Sequence, residues 1–289
     1  MKTQFFASAL LLSCLFTNAT LPPTSYQGKA TLTKKWETEA VLNVPESVLY
    51  DQKQNVLYVS NIVGKPGDKD GNGFISKVSL NGKVENLEWV KGLDAPKGMG
   101  VYNNKLYIAD LTKVLVVNTA NGAVLKTIDV PGASFLNDVT VDSKGVVYVS
   151  DSDTKKIFRV QNDKVELWME NKDLKKPNGL LAMGNDLAML DMDADGAFYK
   201  ISTKDKKMTK FAEGVSSGDG VVMVGKDEYL VSNWNGEVSY INSKGEKQVL
   251  LDTKEQKVNA ADIEYIASQN LLLVPTFFDN KVMAYEFKK

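Results

Sequence analysis

The chain of 289 residues contains no histidine. This absence excludes Ser-His-Asp and Cys-His nucleophilic catalysis, histidine general bases, and zinc sites of the HExxH or mixed His/Cys kind. Any catalysis must therefore depend on carboxylates, amides, lysine, tyrosine, or a metal ion that is held by oxygen ligands.

Cysteine is nearly absent as well, with Cys14 as its one occurrence. Cys14 lies in an apolar run, residues 5–16, that follows the charged Lys2. Because this run is too short to cross a hydrocarbon core about 30 Å thick, we interpret residues 1–19 as a cleaved signal peptide. The sequence thus predicts an exported protein, periplasmic or secreted, whose mature form has no cysteine for a disulfide. Residues 11–14 (LLSC) also resemble a lipobox, which leaves lipidation of Cys14 as an alternative.

Charge of neither sign dominates, since 35 Lys and Arg residues face 36 Asp and Glu residues. This balance lacks the basic footprint that binds nucleic acid or an anionic lipid surface. The sequence also lacks a run of about 20 apolar residues, the length that a membrane-spanning helix needs. We therefore expect a monomer whose partner is a small-molecule ligand or substrate.

A repeat of about 41 residues follows the N-terminal segment. Six similar segments have their second residues at positions 46, 97, 137, 178, 219 and 262, so the steps between them are 51, 40, 41, 41 and 43 residues. Each segment continues with a polar turn, a second strand such as LYVSN (57–61), and a hairpin, and none shows a sustained helical periodicity. Six units of four short strands are typical of propeller blades. We predict an all-β fold, a six-bladed β-propeller.

Residues 20–289 are expected to form this propeller as a single domain, because no linker divides them. The β-rich residues 29–44 precede the first innermost strand, so we expect an N-terminal strand to close the last blade and remove a free sheet edge. An Asn or Asp ends the second strand in five of the six repeats, which predicts a structural role in bonding the backbone. These residues are Asn61, Asp110, Asp151, Asp191 and Asn233.

Positions that differ from blade to blade are the candidates for function. The residue near the start of each innermost strand is expected to face one mouth of the central channel, and five of the six carry a carboxylate or an amide. The six are Glu46, Lys97, Asn137, Asn178, Asp219 and Asp262. Carboxylate and amide oxygens are the ligands of a hard cation, with Ca²⁺ as the first candidate and Mg²⁺ or Mn²⁺ as alternatives. An empty channel with solvated side chains is the alternative to a metal site.

Four of these residues lie in segments that are similar to those of a known family. The segments are PESVLYDQ (45–52), LNDVTVDSKG (136–145), PNGLLAM (177–183) and GDGVVMVGKD (218–227). They resemble, in the same order and at blade spacing, the E-[GS]-P-V-W, N-D-x-x-x-D-x-x-G, N-G-L and D-G-x-x-x-D segments of the regucalcin, gluconolactonase and senescence-marker-protein-like propellers. The resemblance extends over essentially all of the chain after residue 19.

The resemblance implies a role for each of these four residues. Glu46, Asn178 and Asp219 would bind a divalent metal, and Asn137 would contact the substrate or a water molecule. Asp219 would also be the candidate general base of a metal-dependent hydrolase that acts on a lactone or an ester.

Two residues near these segments modify this interpretation. Sugar-lactone members of the family often carry an arginine where this chain has Phe135, so sugar lactones are a poorer expectation than lactones or esters in general. We assign Lys97 to substrate binding rather than to catalysis. The alternative is that Lys97 and Asp262 form a structural ion pair or only line the channel. A non-catalytic propeller of the NHL or YncE-like kind, which binds a ligand or calcium or serves as a scaffold, is the alternative function.

Two aspartate-rich segments resemble calcium loops. Residues 68–75 fit the first eight positions of an EF-hand loop, but Ser79 stands at position twelve, where a glutamate is required. We predict that this segment is a polar insertion in the first blade. Residues 191–196 (DMDADG) follow a second strand directly, and we predict a turn there.

Overall fold

The computed structural model describes Met1 and residues 29–289 of the protein. The predicted signal-peptide cleavage point and Cys14 lie outside the described residues. Within the described part, the chain forms 24 β-strands and two short 3-10 helices, at Ala267–Gln269 and Phe277–Asp279.

The strands form six four-stranded antiparallel sheets. The N-terminal strand is β1 (Thr31–Glu37). The first sheet contains β2 (Pro45–Asp51), β3 (Val56–Asn61), β4 (Gly73–Val78) and β5 (Val84–Leu93), and the second contains β6 (Pro96–Tyr102), β7 (Lys105–Asp110), β8 (Lys113–Asn118) and β9 (Val124–Asp129). The third contains β10 (Leu136–Val141), β11 (Val147–Asp151), β12 (Lys156–Gln161) and β13 (Lys164–Glu170), and the fourth contains β14 (Pro177–Met183), β15 (Asp186–Asp191), β16 (Ala197–Ser202) and β17 (Met208–Glu213). The fifth contains β18 (Gly218–Gly225), β19 (Glu228–Asn233), β20 (Glu237–Ile241) and β21 (Lys247–Asp252), and the sixth contains β22 (Glu264–Ile266), β23 (Leu271–Pro275) and β24 (Val282–Lys288) together with β1.

The six sheets are arranged as blades in a ring. The first strand of each sheet contacts the first strand of the next, from β2 through β6, β10, β14 and β18 to β22, and β22 contacts β2. Within each sheet the strands pair in chain order, except in the sixth. The arrangement confirms the predicted six-bladed β-propeller.

The sixth sheet combines strands from both ends of the described chain. β1 pairs antiparallel with β24, from Thr31 opposite Lys288 to Glu37 opposite Met283. The contacts that complete the ring pass through β2 and β22, where Asp262 N donates to Glu46 O at 2.9 Å. That the N-terminal strand is what closes the ring therefore stays a prediction.

The hydrophobic core is divided into layers between neighbouring sheets. One buried cluster lies at each of the six sheet-to-sheet interfaces. The second strand of a blade is covered on both faces, so β3 (VLYVSN) is buried at every position, whereas the outermost strand β1 is mostly exposed. A seventh cluster, which includes Val44, Ile62, Leu111 and Phe277, lies under one mouth of the channel.

The Asn or Asp that ends the second strand fixes the chain just before the innermost strand of the same blade. Asp110 accepts hydrogen bonds from Ala95 N (2.8 Å) and Asp94 N (3.1 Å), two and three residues before Lys97. The other four bond the backbone of Asn43, Ser134 and Phe135, Lys175 and Lys176, and Ser216. This repeated structural residue, predicted from the sequence, thus holds the segments that carry the candidate functional residues.

Candidate functional site

The second residues of five innermost strands meet in one concave cavity, which we call the mouth pocket. Its volume is about 310 Å³, at the lower end of the range of small-molecule sites. It contains all five of the sequence-predicted site residues: Glu46, Lys97, Asn137, Asn178 and Asp219. The rest of its lining is Ile62, Pro66, Phe135, Lys176, Met192, Trp234 and Phe277.

Two buried carboxylates and an amide form the polar floor of the mouth pocket. Asn178 Nδ2 donates to Asp219 Oδ1 at 2.9 Å, so the amide orients that carboxyl group. Glu46 is 6 % exposed, and its Oε2 is buried without a hydrogen-bond partner. A buried acceptor without a partner is costly, so Glu46 Oε2 is the atom of this site that most needs a ligand.

The environment of these carboxyl groups disfavours their charged forms. Burial raises the pKa of Glu46 well above its ordinary value, and Asp219 and Asp262 raise it further, while Lys97 opposes them. Burial, followed by the charge of Asp262, raises the pKa of Asp219 to about 8, against the hydrogen bond from Asn178. A bound cation would reverse both shifts, because it favours the ionised forms.

The donor set suits a divalent cation if the amide takes part. In the described part of the chain, no three side chains among His, Cys, Asp and Glu lie together as a metal site. The candidate set of Glu46, Asp219 and Asn178 Oδ1 has two carboxylates and one amide, and oxygen donors of this kind suit Ca²⁺ or Mg²⁺. The unpartnered Glu46 Oε2 is the observation that fits a cation at this place.

Asn137 is held by a hydrogen bond at the side of the mouth pocket. Its Nδ2 donates to Ser152 Oγ at 3.0 Å, and that hydroxyl donates to Pro177 O at 2.8 Å. The backbone just before Asn178 is therefore linked to the Asn137 side chain. This link fixes the orientation of the amide towards the cavity that it lines.

Lys97 is a buried lysine whose ammonium binds backbone rather than an acid. Its Nζ donates to Pro66 O (2.8 Å) and Ala95 O (2.9 Å) and lies 4.4 Å from the ring centre of Phe135. Burial lowers its pKa to about 8, against the charge of Glu46. An ammonium has three donors, so one remains after the two carbonyl bonds. The bond to Pro66 also holds the first-blade insertion against the pocket.

Asp262 does not lie at the mouth, contrary to the expectation from the sequence. It lines a second cavity of about 180 Å³, further along the innermost strands, together with Asp138 and Glu264; we call it the channel cavity. Asp262 Oδ2 accepts a hydrogen bond from Ser47 Oγ at 2.6 Å, and no ion pair joins it to Lys97 among the described residues. The reason is register, because Asp262 pairs with Ser47 rather than with Glu46.

The two aspartate-rich segments form turns. Asp70 Oδ1 accepts a hydrogen bond from Asn72 N (3.0 Å), and Asp193 Oδ1 accepts one from Gly196 N (2.7 Å). Such bonds from a side chain to the backbone two or three residues later are the usual role of aspartate in turns. The structure therefore agrees with the prediction of an insertion and a turn.

Sequence reasoning missed the aromatic part of the mouth pocket. Trp234 and Phe277 follow the second strands of the fifth and sixth blades, and their rings meet edge to face with centroids 5.4 Å apart. Both stand one or two residues past those strands, at positions where the other blades carry different residue types. That departure from the repeat is the one signal that could have revealed them.

The fold is similar to that of several solved β-propellers, at low sequence identity. A streptogramin B lyase structure matches with a TM-score of 0.65 and 12% identity, over 90% of this chain and 98% of that one. A catalytically inactive histidine-to-alanine variant of virginiamycin B lyase from Staphylococcus aureus, solved with quinupristin, matches with a TM-score of 0.63 and 11% identity, over 89% and 99%. A chain of a nidogen/laminin complex matches with a TM-score of 0.64 and 17% identity, over 76% and 84%. No family model and no curated protein matches the sequence. These likenesses establish the β-propeller fold.

None of the helices in the described part of the chain has the length and hydropathy that a bilayer span requires.

Proposed function

We propose that the mouth pocket is the active site of a divalent-metal-dependent hydrolase that acts on a lactone or an ester. The observation that carries this proposal is the buried Glu46 Oε2, which has no hydrogen-bond partner and belongs to the same pocket as Asp219 and Asn178. An empty propeller channel has no reason to bury such an oxygen at the wall of a cavity. We assign the metal to Glu46, Asn178 and Asp219, with Ca²⁺ preferred.

The residues of the pocket would divide the work of hydrolysis. A divalent cation supplies Lewis-acid polarisation of the substrate carbonyl when it is bound. Asp219, held by Asn178, takes a proton from the attacking water as general base. The water adds to the acyl carbon and the acyl carbon–oxygen bond breaks. The alkoxide leaving group then takes up the proton that Asp219 removed from the water, which returns Asp219 to its ionised form. Asn137 and the remaining donor of Lys97 bind the polar part of the substrate.

The propeller lyases offer a fold but not a mechanism for this chain. The inactive variant of virginiamycin B lyase lacks one histidine, whereas this chain has no histidine anywhere. Carboxylate and metal chemistry therefore suits it better than histidine chemistry. We further propose kinship with the regucalcin and gluconolactonase propellers, export through residues 1–19, and a monomeric single domain formed by residues 20–289.

Metal analysis and a substrate panel test the proposal together. Purified protein should contain close to one equivalent of divalent metal and should hydrolyse a member of a lactone and ester panel, and chelator or Asp219→Ala should abolish turnover. Glu264→Gln, which alters a half-buried acid of the channel cavity, is the matched control and should leave the metal content unchanged. Hydrolysis that survives both chelator and Asp219→Ala would refute the proposal.

A binding protein is the second candidate. Tight stoichiometric metal without turnover on any panel member would favour it, and the nidogen/laminin structure shows that the same fold occurs in a protein complex.

A further inference from the structure

The mouth pocket has an apolar side that the proposed chemistry does not use. We call it the aromatic wall; it consists of the lining residues Phe135, Trp234 and Phe277, together with Phe278, which lies outside the lining and packs on Phe277 with ring centroids 4.8 Å apart. Trp234 stacks edge to face on Phe277 (centroids 5.4 Å) and lies 6.0 Å from Phe278. Phe278 has 61 % of its surface exposed, the largest exposure of any apolar side chain in residues 29–289. An aromatic ring left in water beside a cavity is a contact surface for a ligand.

Backbone strain is concentrated around this wall. Phe277 has a φ of 50°, and Val44 and Leu111, which pack in the same cluster, have φ values of 54° and 56°. Val63, next to Ile62 of the pocket lining, has a φ of 57°. The left-handed region is unfavourable for such bulky side chains and costs about 1–3 kcal/mol each. Backbone strain of this kind clusters at ligand sites and switch regions, and Phe277 is the strained residue of the wall itself.

Six of the twelve residues that line the pocket are polar, and several of them already bond protein partners. Two acids, Glu46 and Asp219, face two bases, Lys97 and Lys176, along the lining. The Lys97 ammonium has two of its three donors engaged by backbone carbonyls. A polyhydroxylated ligand would bury several hydroxyl groups against this lining without partners, which is unfavourable.

From these features we infer that the mouth pocket takes a lactone or ester that carries an alkyl or aryl group, and that this group packs on the aromatic wall. The cavity of about 310 Å³ has the volume of roughly ten water molecules, enough for a lactone ring with a short chain. The class of the reacting group rests on the proposed function. The inference of an apolar substituent depends only on the aromatic wall.

Two lactones that share the same five-membered ring test the inference by calorimetry. γ-Decanolactone carries an alkyl chain, and ribono-γ-lactone carries hydroxyl groups. Binding is measured on the chelator-treated protein, so that turnover does not interfere and every side chain of the pocket lining is retained. γ-Decanolactone should bind at least 10-fold more tightly than ribono-γ-lactone. Phe278→Ala should weaken γ-decanolactone binding about 3-fold to 10-fold, and Trp234→Ala should weaken it more.

Leu125→Ala is the matched control, since Leu125 is 52 % exposed on β9, away from the pocket lining; it should not change binding. Because Phe278 is exposed, its alanine variant is expected to fold even if Trp234→Ala does not. Tighter binding of ribono-γ-lactone, or unchanged γ-decanolactone affinity in Phe278→Ala, would overturn the inference. Hydrolysis of sugar lactones alone would refute the inference but would leave the proposed function intact. Tight γ-decanolactone binding by a protein that hydrolyses no panel member would refute the proposed function but would support the apolar substituent.

Discussion

The mouth pocket and the channel cavity both contain buried acids, yet the two differ in how those acids are satisfied. In the channel cavity, Asp138 accepts hydrogen bonds from Val139 N (2.6 Å) and Leu180 N (2.5 Å). Glu264 accepts from Tyr50 N (3.1 Å) and Tyr265 N (2.7 Å). These bonds join one blade to the next, because Asp138 and Leu180 belong to the third and fourth blades and Glu264 and Tyr50 to the sixth and first.

In the mouth pocket, backbone N–H groups do not supply the hydrogen bonds of the acids in this way. Glu46 Oε2 is buried without a partner, and Asp219 Oδ1 accepts its hydrogen bond from a side chain, the amide of Asn178. Burial raises carboxyl pKa values in both regions, so a perturbed pKa does not by itself distinguish a site from a structural acid. The distinction lies in whether backbone donors already occupy the oxygens.

The largest effect on activity is expected from Glu46→Gln in the mouth pocket. The variant removes one carboxylate of the proposed metal set, and kcat/KM for the best panel substrate should fall on the order of 1,000-fold, about 4 kcal/mol of transition-state stabilisation. With the metal removed from both proteins, the thermal stability of the variant should equal or exceed that of the wild type, because a costly buried carboxylate is lost. Steady-state kinetics and thermal unfolding of the same preparation check both statements. A marked loss of stability with full activity would place Glu46 with the structural acids.

Asp138→Ala should show the reverse pattern. The substitution leaves the backbone N–H groups of Val139 and Leu180 buried without acceptors, at a cost of about 1–3 kcal/mol each. We expect the free energy of unfolding to fall by roughly 3 kcal/mol in urea titrations, with one equivalent of metal still bound. Loss of the metal at unchanged stability would mean that the channel cavity, rather than the mouth pocket, is the cation site.

The sequence sufficed to predict the blades because their signals are local and repeated. Turn residues, alternating strands and a period near 41 residues recur six times, so a single irregular unit did not obscure the rest. The same period placed Glu46, Lys97, Asn137, Asn178 and Asp219 at one mouth. It misplaced Asp262, because the sixth innermost strand begins one position out of register and pairs Asp262 with Ser47.

The aromatic wall could not be predicted in the same way. Phe277 and Trp234 belong to different blades and are brought together only when the sheets pack, which no local pattern encodes. The hydrogen bond from the Lys97 ammonium to Pro66 O could not be predicted from the sequence either. Pro66 belongs to an insertion whose path depends on tertiary packing. Local sequence patterns therefore predict the repeat, but they do not predict which side chains of different blades come into contact.

The pH dependence of stability offers a further test of the channel cavity. Burial raises the pKa of Glu264 from 4.5 to about 7, against the two backbone hydrogen bonds that it accepts. Because the folded protein then holds this proton more tightly than the unfolded chain, its contribution is fully present below pH 4.5 and is lost as the pH rises through 7. Between pH 5 and 8 this group should cost about 2 kcal/mol of stability, allowing for its partial exposure.

Glu264→Gln checks this expectation through the slope of stability against pH. The glutamine satisfies one backbone N–H fewer, but that loss is the same at every pH, so only the slope reports the titration. The variant should lose less stability than the wild type on going from pH 5 to pH 8 in denaturant titrations. An identical slope would assign the titration to other groups.

The smallest effect in the comparison is expected at Ser47, which separates the two regions along β2. Ser47 Oγ donates to Asp262 Oδ2 at 2.6 Å across the contact between the first and sixth blades, and Ser47→Ala removes that one bond. Because the net worth of a single hydrogen bond is about 1 kcal/mol, stability should fall by that amount in denaturant titrations. Metal content and turnover should not change, since Asp262 lies in the channel cavity. If Ser47→Ala instead lowered metal affinity and left stability unchanged, the mouth pocket and the channel cavity would form one coupled site. The distinction between acids with and without hydrogen-bond partners would then not separate the two regions, because Ser47 is the neighbour of Glu46 in the chain.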